Sequence, residues 1–541
     1  MSTVAVEQSP LTPAVAHPDP NRLLKRIAPT VIAAIFATVY VIVSPPSLDL
    51  AAHLLRAKLF SAEGFGIWNN WWYAGHHVPG YSVLFPPIAA VLTPQIAGGI
   101  AATGTAALFE PLARHHFGER AWLGSLWFGA GTAMNLFTGR LTFAFGLLPA
   151  MGMALALQRR RPVLASALAV ITALASPVAA LFAAVAAAAY AVWAYAGERR
   201  LRAALPGLAA VVCSLLPVAL LSIAFPEGGS EPFTLATLWP IPAIALIALF
   251  AIPREEIGLR AGVVLYALGC VAAYLVATPV GSNAARLGPL VAGPLAALLW
   301  WPRRKWLLAA VALPLLWFQW QAPIRDVRTS AGDPSVSAAF YQPLLSFLDR
   351  QHGPPFRVEI PFTRFHWEAY QVAPRFPLAR GWERQLDIRY NHLFYGGALT
   401  PATYEAWLHT LAVRFVAVPD ASLDFSAKRE VHLIDRGLRY LHLVYRTRHW
   451  RVYSVANPTP IVRGPARLVS LGPNSVTLRA HAAGTALVRV RFTPYWALGQ
   501  GSGCVAPDGE FTKVTIRHPG PVELVIRFSL GRIGSRSARC A

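Results

Sequence analysis

An aspartate and a histidine stand four residues apart just after the first long apolar run of the chain. Asp49 is followed by His53 and then by Arg56, in the segment that begins at Ser47. In a helix, this spacing places Asp49 and His53 on one face, with Arg56 one further turn along. An acidic side chain beside a membrane is costly unless it has a function or a partner. Asp49 is therefore a candidate catalytic carboxylate, and the alternatives are that it caps the helix or pairs with Arg56.

Two arginines stand next to later apolar runs. Arg140 follows Thr138-Gly139, and Arg286 lies within the segment from Gly281 to Gly288. The planar guanidinium of an arginine binds phosphate through two hydrogen bonds, which makes both residues candidates for a phosphate site. The alternative is an ordinary interfacial arginine that extends to the lipid headgroups.

The segment after Asp49 is rich in aromatic side chains. Trp68, Trp71, Trp72 and Tyr73 fall within six positions, and His76 follows shortly after them. Tryptophan and tyrosine are enriched at membrane interfaces, so an aromatic belt is one interpretation. Stacking on sugar faces is the other.

Histidines in the same segment raise the question of a metal. His76 and His77 are adjacent, and adjacent side chains of a strand point to opposite faces, so a site built by the protein alone with His53 is disfavoured. Magnesium often binds through one carboxylate and the phosphates of a substrate. A divalent cation, Mg²⁺ or Mn²⁺, shared between Asp49 and a substrate phosphate therefore stays open, and the metal ligands are unknown.

A polar cluster lies far along the chain, in the segment from Ala379 to Asp387. It holds Arg380, Glu383 and Arg384 together with a glutamine and a tryptophan. This density suits the recognition of a polyol or glycan, and it equally suits a loop held by salt bridges.

The composition shows what must position these residues. The 541 residues are 55% hydrophobic and 14% charged, against about 25% charged in a typical soluble protein. This excludes a purely soluble enzyme and a disordered chain. The net charge is +22, and residues 1–321 carry 20 basic and 11 acidic residues against 28 and 15 in residues 322–541. We predict a membrane domain that ends near Gln321, followed by a soluble region.

Eleven apolar segments approach the roughly 20 residues that a spanning helix needs. They are residues 28–47, 85–109, 121–138, 141–157, 163–176, 178–196, 203–225, 234–252, 261–279, 288–301 and 306–320. Sixteen basic residues lie on one side of these segments and four on the other. Basic residues mark cytoplasmic loops, so we expect a plasma (inner) membrane protein with a cytoplasmic N-terminus and residues 322–541 outside. The net positive charge of that outer region suits anionic lipids or envelope polymers and does not require nucleic acid.

We divide the chain into four parts. Residues 1–27 form a cytoplasmic, partly disordered N-terminus, and residues 28–321 form the multi-span membrane domain. Residues 322–459 mix helices and strands. Residues 460–541 form a β-sandwich, because apolar residues alternate along Val522–Leu530 and at Val488 and Val490. Cys504 and Cys540 are the two cysteines of the outer region and candidates for a disulfide, which persists in such an environment; the alternative is two free thiols.

No phosphate-binding loop, dinucleotide fingerprint, serine-nucleophile elbow or zinc-protease motif is present in the sequence. A membrane transporter or lipid-linked-sugar flippase is one function that the membrane domain allows. The absence of an internal repeat and the position of the ionisable residues at the outer ends of apolar segments disfavour it. A non-enzymatic scaffold for envelope assembly is a further alternative.

Four features of the chain together resemble the GT-C superfamily of membrane glycosyltransferases. They are Asp49, the segment Trp72-Tyr-Ala-Gly75 leading to Phe85-Pro-Pro87, the many apolar segments and the outer C-terminal region. More narrowly, the chain is similar to bacterial membrane proteins labelled "6-pyruvoyl-tetrahydropterin synthase-related". Its segment Thr493-Pro-Tyr-Trp496 resembles the C-terminal domain of membrane proteins implicated in lipoteichoic-acid glycosylation. The preference for arginine over lysine resembles actinobacterial usage. Ala51 stands where the superfamily has the second acid of an Asp-x-Asp pair.

The resemblance implies transfer of a sugar from a polyprenyl-phosphate donor to a cell-envelope glycan or lipid on the extracytoplasmic face. Asp49 takes the position of the catalytic acid of the first loop, and Arg286, Arg140 and His53 are expected to bind the donor phosphate. Seven residues are expected to bind the sugar or the acceptor: Glu63, Trp72, Tyr73, His76, His77, Arg380 and Glu383.

Overall fold

A computed structural model describes residues 20–541 of the chain, and the predicted disorder of the first nineteen residues lies outside them. Residues 20–330 are mainly helical. The helices are α1 (Pro20–Val43), α2 (Leu48–Glu63), α3 (Phe85–Leu92), α4 (Pro94–Phe117), α5 (Trp122–Gly131), α6 (Ala133–Phe137), α7 (Leu141–Gln158), α8 (Pro162–Ala175), α9 (Pro177–Glu198), α10 (Leu201–Ala224), α11 (Leu235–Leu238), α12 (Pro240–Ala251), α13 (Ile257–Leu275), α14 (Leu287–Trp300) and α15 (Lys305–Ser330). A two-stranded ribbon, β1 (Trp68–Asn69) and β2 (His76–His77), lies between α2 and α3.

Seven helical segments in the described residues are long and apolar enough to cross a membrane, which indicates a multi-pass membrane protein. They are Arg22–Val43, Pro94–Phe137, Leu141–Gln158, Pro177–Glu198, Leu201–Ala224, Ile257–Leu275 and Lys305–Ser330. A helix lies at each of the eleven predicted segments, but several are short or broken. Residues 85–109 break at Thr93-Pro94 and residues 234–252 break at Trp239-Pro240, because proline lacks the N–H that a continuing helix requires.

Helix α15 continues past Gln321, where the soluble region is predicted to begin, and ends at Ser330. An α/β unit follows. It contains α16 (Ala338–Asp349), β3 (Arg357–Glu359), α17 (Glu368–Gln371), α18 (Arg384–Tyr390), α19 (Pro401–Thr410), β4 (Val413–Pro419), α20 (Lys428–Asp435), β5 (Leu441–Arg446) and β6 (Trp450–Val455). The four strands form one sheet in the order β3-β4-β6-β5, in which only the β3-β4 pair is parallel.

The C-terminal unit is a β-sandwich, as its alternating residues predict. Its strands are β7 (Val462–Arg463), β8 (Ala466–Leu471), β9 (Ser475–Ala480), β10 (Gly484–Arg491), β11 (Trp496–Gln500), β12 (Gly503–Asp508), β13 (Phe511–Ile516), β14 (Gly520–Ile526) and β15 (Arg539–Cys540). One sheet has the order β15-β12-β13-β10-β7 and the other β11-β14-β9-β8. A disulfide joins Cys504 to Cys540.

One predicted strand is too long. Val522 and Leu524 are buried in the sandwich as the alternation predicts, but β14 ends at Ile526. Phe528 and Leu530 are 48% and 75% exposed. An alternating pattern therefore continues beyond the strand, onto residues that face away from the sandwich core.

The helical bundle and the α/β unit share a continuous apolar core. One buried cluster includes Leu55 of α2 and Phe85 of α3 together with Tyr341 of α16 and Val358 of β3. Apolar contact of this kind holds two units in a defined relative position. The α/β unit and the helix ends that face it therefore meet in a fixed geometry, and the candidate site lies where they meet.

Candidate active site

The first turn of α2 places Asp49. Pro45 and Pro46 follow the end of α1, and Ser47 stands at the N-cap of α2. Gly139 packs directly against this turn with a φ of +73°, and a Cβ built there would lie 2.0 Å from Ser47 Oγ and 3.3 Å from Asp49 Cβ. The close approach requires glycine, both for the left-handed backbone and for space.

A cavity of about 720 Å³ lies between the α/β unit and the helix ends that face it. Asp49 and Arg286 line it from the helical side. The polar and aromatic residues that line it are Asp49, His77, Tyr81, Thr142, Ser176, Ser222, Phe225, Glu227, Glu231, Asn283, Arg286, His366, Trp382, Glu383, Arg384, Gln385 and Arg389. The volume falls within the range of small-molecule sites.

Asp49 has no hydrogen-bond or ion-pair partner among residues 22–541. Burial raises the pKa of its carboxyl, and the positive charges of Arg286 and Arg140 oppose that rise. A half-buried carboxyl without a partner is costly. Its position at a cavity wall leaves it available to a bound hydroxyl.

The two candidate arginines lie near Asp49 and near each other. The positive charge of each arginine lowers the pKa of Asp49, and the charge of Arg286 also lowers the pKa of Arg140. Burial lowers the pKa of Arg140 to about 10, so it stays charged at neutral pH. In the described part of the chain, neither guanidinium donates a hydrogen bond to a protein acceptor; the contact of Arg286 is with the Phe143 ring, at 5.9 Å. Arg286 lines the cavity, and Arg140 is near enough for its charge to act on Asp49. Two guanidiniums placed in this way suit an anion that carries more than one charge.

His53 is fully buried and does not line the cavity. Its Nε2 lies 3.0 Å from the Gly139 carbonyl oxygen, to which it donates in the corresponding tautomer, and its ring packs on Phe85. Burial and the charge of Arg56 lower the pKa of His53 to about 3, so the imidazole is neutral. This position does not support the prediction that His53 binds the donor phosphate. It instead supports Gly139, which packs against Asp49.

Arg56 belongs to the contact with the α/β unit rather than to Asp49. Its guanidinium forms a buried ion pair with Glu383 and lies 3.7 Å from the centre of the Tyr81 ring. The alternative that Asp49 pairs with Arg56 is therefore not what the structure shows. Glu383, predicted to bind the sugar or the acceptor, lines the cavity with its charge neutralised by Arg56.

The aromatic segment is buried between domains. It therefore forms neither an aromatic belt at the membrane interface nor a surface that stacks on sugars. Trp72 is 1% exposed and donates from Nε1 to the Ala369 carbonyl, and Tyr73 is fully buried and donates to the Glu383 carbonyl. His76 is stacked on Trp72. These three side chains cannot reach a sugar or a lipid headgroup. Large aromatic rings with one polar atom suit an interface that needs both packing and a hydrogen bond.

Two more predicted binding residues lie outside the cavity. Glu63 is exposed at the last residue of α2. Arg380 is 1% exposed and pairs with the buried carboxylates of Asp387 and Glu430. The rings of Phe362 and Phe394 enclose its guanidinium at 3.8 and 4.0 Å. The interpretation as a salt-bridged segment is correct for Arg380, because its charge is fully satisfied within the α/β unit.

His77 lines the cavity together with Glu227. The imidazole Nδ1 lies 2.8 Å from a Glu227 oxygen, and Nε2 lies 2.9 Å from the Thr493 hydroxyl of the sandwich. Tyr390 of α18 donates to the other Glu227 oxygen at 3.1 Å. This set links the helical bundle, the α/β unit and the sandwich at one side of the cavity.

Four cavity residues are not among the site residues predicted from the sequence. The Glu231 carboxylate has no hydrogen-bond or ion-pair partner in the described residues, and burial raises its pKa to about 7. His366 has a φ of +54°, and both ring nitrogens are buried without a hydrogen bond, although Nε2 is 3.6 Å from an Asp424 oxygen. Arg384 is held by Asp424 in a two-point ion pair. Tyr81 follows the aromatic segment. These residues are distant from Asp49 along the chain, so the sequence does not show that they share a cavity with it.

The side chains around Asp49 do not suit the binding of a cation by the protein alone. Among the described residues, no group of three or more histidine, cysteine, aspartate or glutamate side chains is placed to hold a metal ion. The positive charges of Arg286 and Arg140 act more strongly on Asp49 than the negative charge of Asp326 does, and positive charge repels a cation.

Comparison with known proteins adds little. No family model matches the chain, and no curated protein matches it. Among solved structures, the chain is similar to ArnT from Cupriavidus metallidurans in a crystal structure with bound undecaprenyl phosphate. The identity is 13% and the TM-score 0.34, over 82% of this chain and 100% of that chain.

Proposed function

We propose that this protein is an integral membrane glycosyltransferase that transfers a sugar from a polyprenyl-phosphate donor to a hydroxyl of a cell-envelope glycan or lipid. One observation carries the proposal: an unpartnered carboxylate, Asp49, and an unpartnered guanidinium, Arg286, line the same cavity at the outer ends of apolar helices. A lipid-linked phosphate reaches such a place from the bilayer.

The chemistry requires a base and an anion site. Asp49 accepts the proton of the acceptor hydroxyl, and the hydroxyl oxygen forms a bond to the anomeric carbon. The bond between that carbon and the phosphate oxygen breaks, and the electron pair stays on the polyprenyl phosphate. Arg286 and Arg140 stabilise the charge that develops on this leaving group. The raised pKa of Asp49 makes it a stronger base than an exposed aspartate.

The outer wall of the cavity is the expected place of the acceptor. Glu231 and Gln385 present hydrogen-bonding groups there, on the side of the loop after α10 and of the α/β unit. Hydroxyl groups of a polyol suit such a mixed wall, because each can both donate and accept.

The basic residues at the opposite ends of the helices support the orientation. Arg159, Arg160 and Arg161 follow α7, and Arg199 and Arg200 follow α9. The excess of basic residues in these loops favours the cytoplasmic side. We therefore place the cavity and the two C-terminal units on the extracytoplasmic face. The donor set around Asp49 provides no reason to route the reaction through a metal ion.

Asp49→Asn in membranes supplied with labelled polyprenyl-phosphate sugars tests the proposal. We expect transfer to fall at least a hundredfold, because the amide cannot accept the proton. Glu63→Gln is the matched control, since it removes an exposed carboxylate from the same helix and should leave transfer unchanged. Full transfer by the Asp49→Asn variant would refute the role of Asp49. Movement of the lipid-linked sugar across vesicles without transfer would instead indicate a flippase.

A further inference from the structure

A segment of the sandwich lies against the outer end of a spanning helix. The hydroxyl of Tyr495 donates to the carbonyl of Ala224, the last residue of α10, at 2.6 Å. Phe225 packs on Phe528, with ring centroids 5.7 Å apart. The chain from Arg527 to Arg539 is therefore held at the level where α10 leaves the membrane.

Exposed apolar side chains continue from the helix onto this segment. Leu220 and Ile223, in the last turns of α10, are 56% and 62% exposed, as expected for a lipid-facing surface. Phe528, which packs on Phe225 just after α10, is 48% exposed, and Leu530 is 75% exposed. Exposed apolar groups that adjoin a lipid-facing helix are typical of a segment at the membrane interface.

Three arginines flank the exposed pair. Arg527, Arg532 and Arg539 lie close enough together that the charges of the first two act on the third, and Arg539 donates to the Arg527 carbonyl at 3.0 Å. None of the three forms an ion pair with a carboxylate in residues 22–541. Clustered positive charge without acidic neighbours is complementary to an anionic surface.

We propose that residues 527–539 form a lipid-binding segment. In it, Phe528 and Leu530 enter the outer leaflet, and three of its four arginines, Arg527, Arg532 and Arg539, bind the phosphates of anionic phospholipids. The position at the end of α10 favours a bilayer over a soluble envelope polymer. The inference does not depend on the proposed transfer reaction. Attraction of this kind weakens with salt, since exposed charges are screened over about 8 Å at physiological ionic strength.

Photocrosslinking of the full chain in nanodiscs tests the segment. Benzoylphenylalanine replaces Leu530, and the discs contain neutral lipid with about 30% anionic lipid. We expect several-fold enrichment of anionic lipid in the crosslinked product over its bulk share, because each basic residue near such a surface contributes about fivefold. The enrichment should fall to the bulk share in the variant that combines Arg527→Gln, Arg532→Gln and Arg539→Gln.

A charge-matched control uses three exposed arginines elsewhere on the sandwich. Arg463→Gln, Arg467→Gln and Arg479→Gln together should leave the enrichment unchanged. Arg532 also donates to the Ser537 carbonyl, so the triple variant could misfold. The unaltered segment is therefore also measured in high salt, where the enrichment should fall. Crosslinks in bulk proportion at low salt would overturn the proposal, as would preferential crosslinking to an added soluble polyanion.

Discussion

Trp382 of the α/β unit donates a hydrogen bond from Nε1 to the carbonyl oxygen of Leu48, at 2.8 Å. Leu48 is the residue immediately before Asp49. Trp367 makes the equivalent bond to the Ser47 carbonyl at 3.2 Å. Two indoles from one domain therefore hold the backbone that carries the candidate base in another.

Trp382→Phe should impair catalysis more than folding. The ring is kept and one hydrogen bond is lost, which costs about 1 kcal/mol. We expect kcat to fall about tenfold with little change in the thermal midpoint, measured by sugar transfer and by unfolding in detergent. Trp306→Phe, at an exposed position on α15, is the control. An unchanged kcat would show that Trp382 does not position Asp49.

Gly139→Ala tests the contact behind Asp49. The added Cβ would overlap Ser47 Oγ, so the first turn of α2 must move. We expect loss of transfer by more than tenfold. Gly118→Ala is the matched control, because Gly118 also has a positive φ, +63°, but nothing within 4 Å of an added Cβ. If both variants lose transfer equally, backbone strain and not the displacement of Asp49 is the cause.

Arg286→Gln should lower the rate of transfer by about a hundredfold or more, in the range found when a charge-stabilising donor is removed. Arg286→Lys should restore part of the loss, since the charge returns without the planar fork. Steady-state transfer with a labelled donor measures both. Arg303→Gln, in the loop after α14, should behave as the unaltered chain. A Gln variant with normal kcat and normal KM would exclude a role in phosphate binding.

Transfer should also be lost on the acid side of the pH profile. Because the base must be ionised and burial raises the pKa of Asp49, the acid limb should lie above the usual range of an aspartate. The pH dependence of kcat/KM measures it. A flat profile down to pH 4 would contradict the assignment.

The α/β unit should lose stability as pH rises from 5 to 7. Glu368 is 1% exposed, and burial raises its pKa to about 7 from an unfolded value of 4.5. The native state therefore binds more protons than the unfolded state in this window, so the free energy of unfolding falls by about 1.4 kcal/mol per pH unit and levels off above pH 7. Glu368→Gln should remove the contribution of Glu368 to the slope of the unfolding free energy against pH, measured in a series of thermal unfolding experiments. A slope equal to that of the unaltered chain would contradict the assignment to Glu368.

Local chemistry along the chain predicts much of the architecture. Apolar runs predict the helices of the bundle, because the free energy of moving a side chain out of water depends on its residue type. Alternation predicts the buried residues Val488 and Val490 of the sandwich for the same reason. The outer end of the first apolar run also singles out Asp49, since a carboxyl there is unusual in any fold.

The tertiary structure decides which of the polar residues share the site. Arg286 meets Asp49 across 237 positions, and His366 and Glu231 join the same cavity from two further segments. Trp72 and Tyr73 have the composition of a membrane belt or a sugar platform, yet they pack between domains. A side chain with an apolar ring and one polar atom suits all three environments, so only the position of its neighbours determines its role.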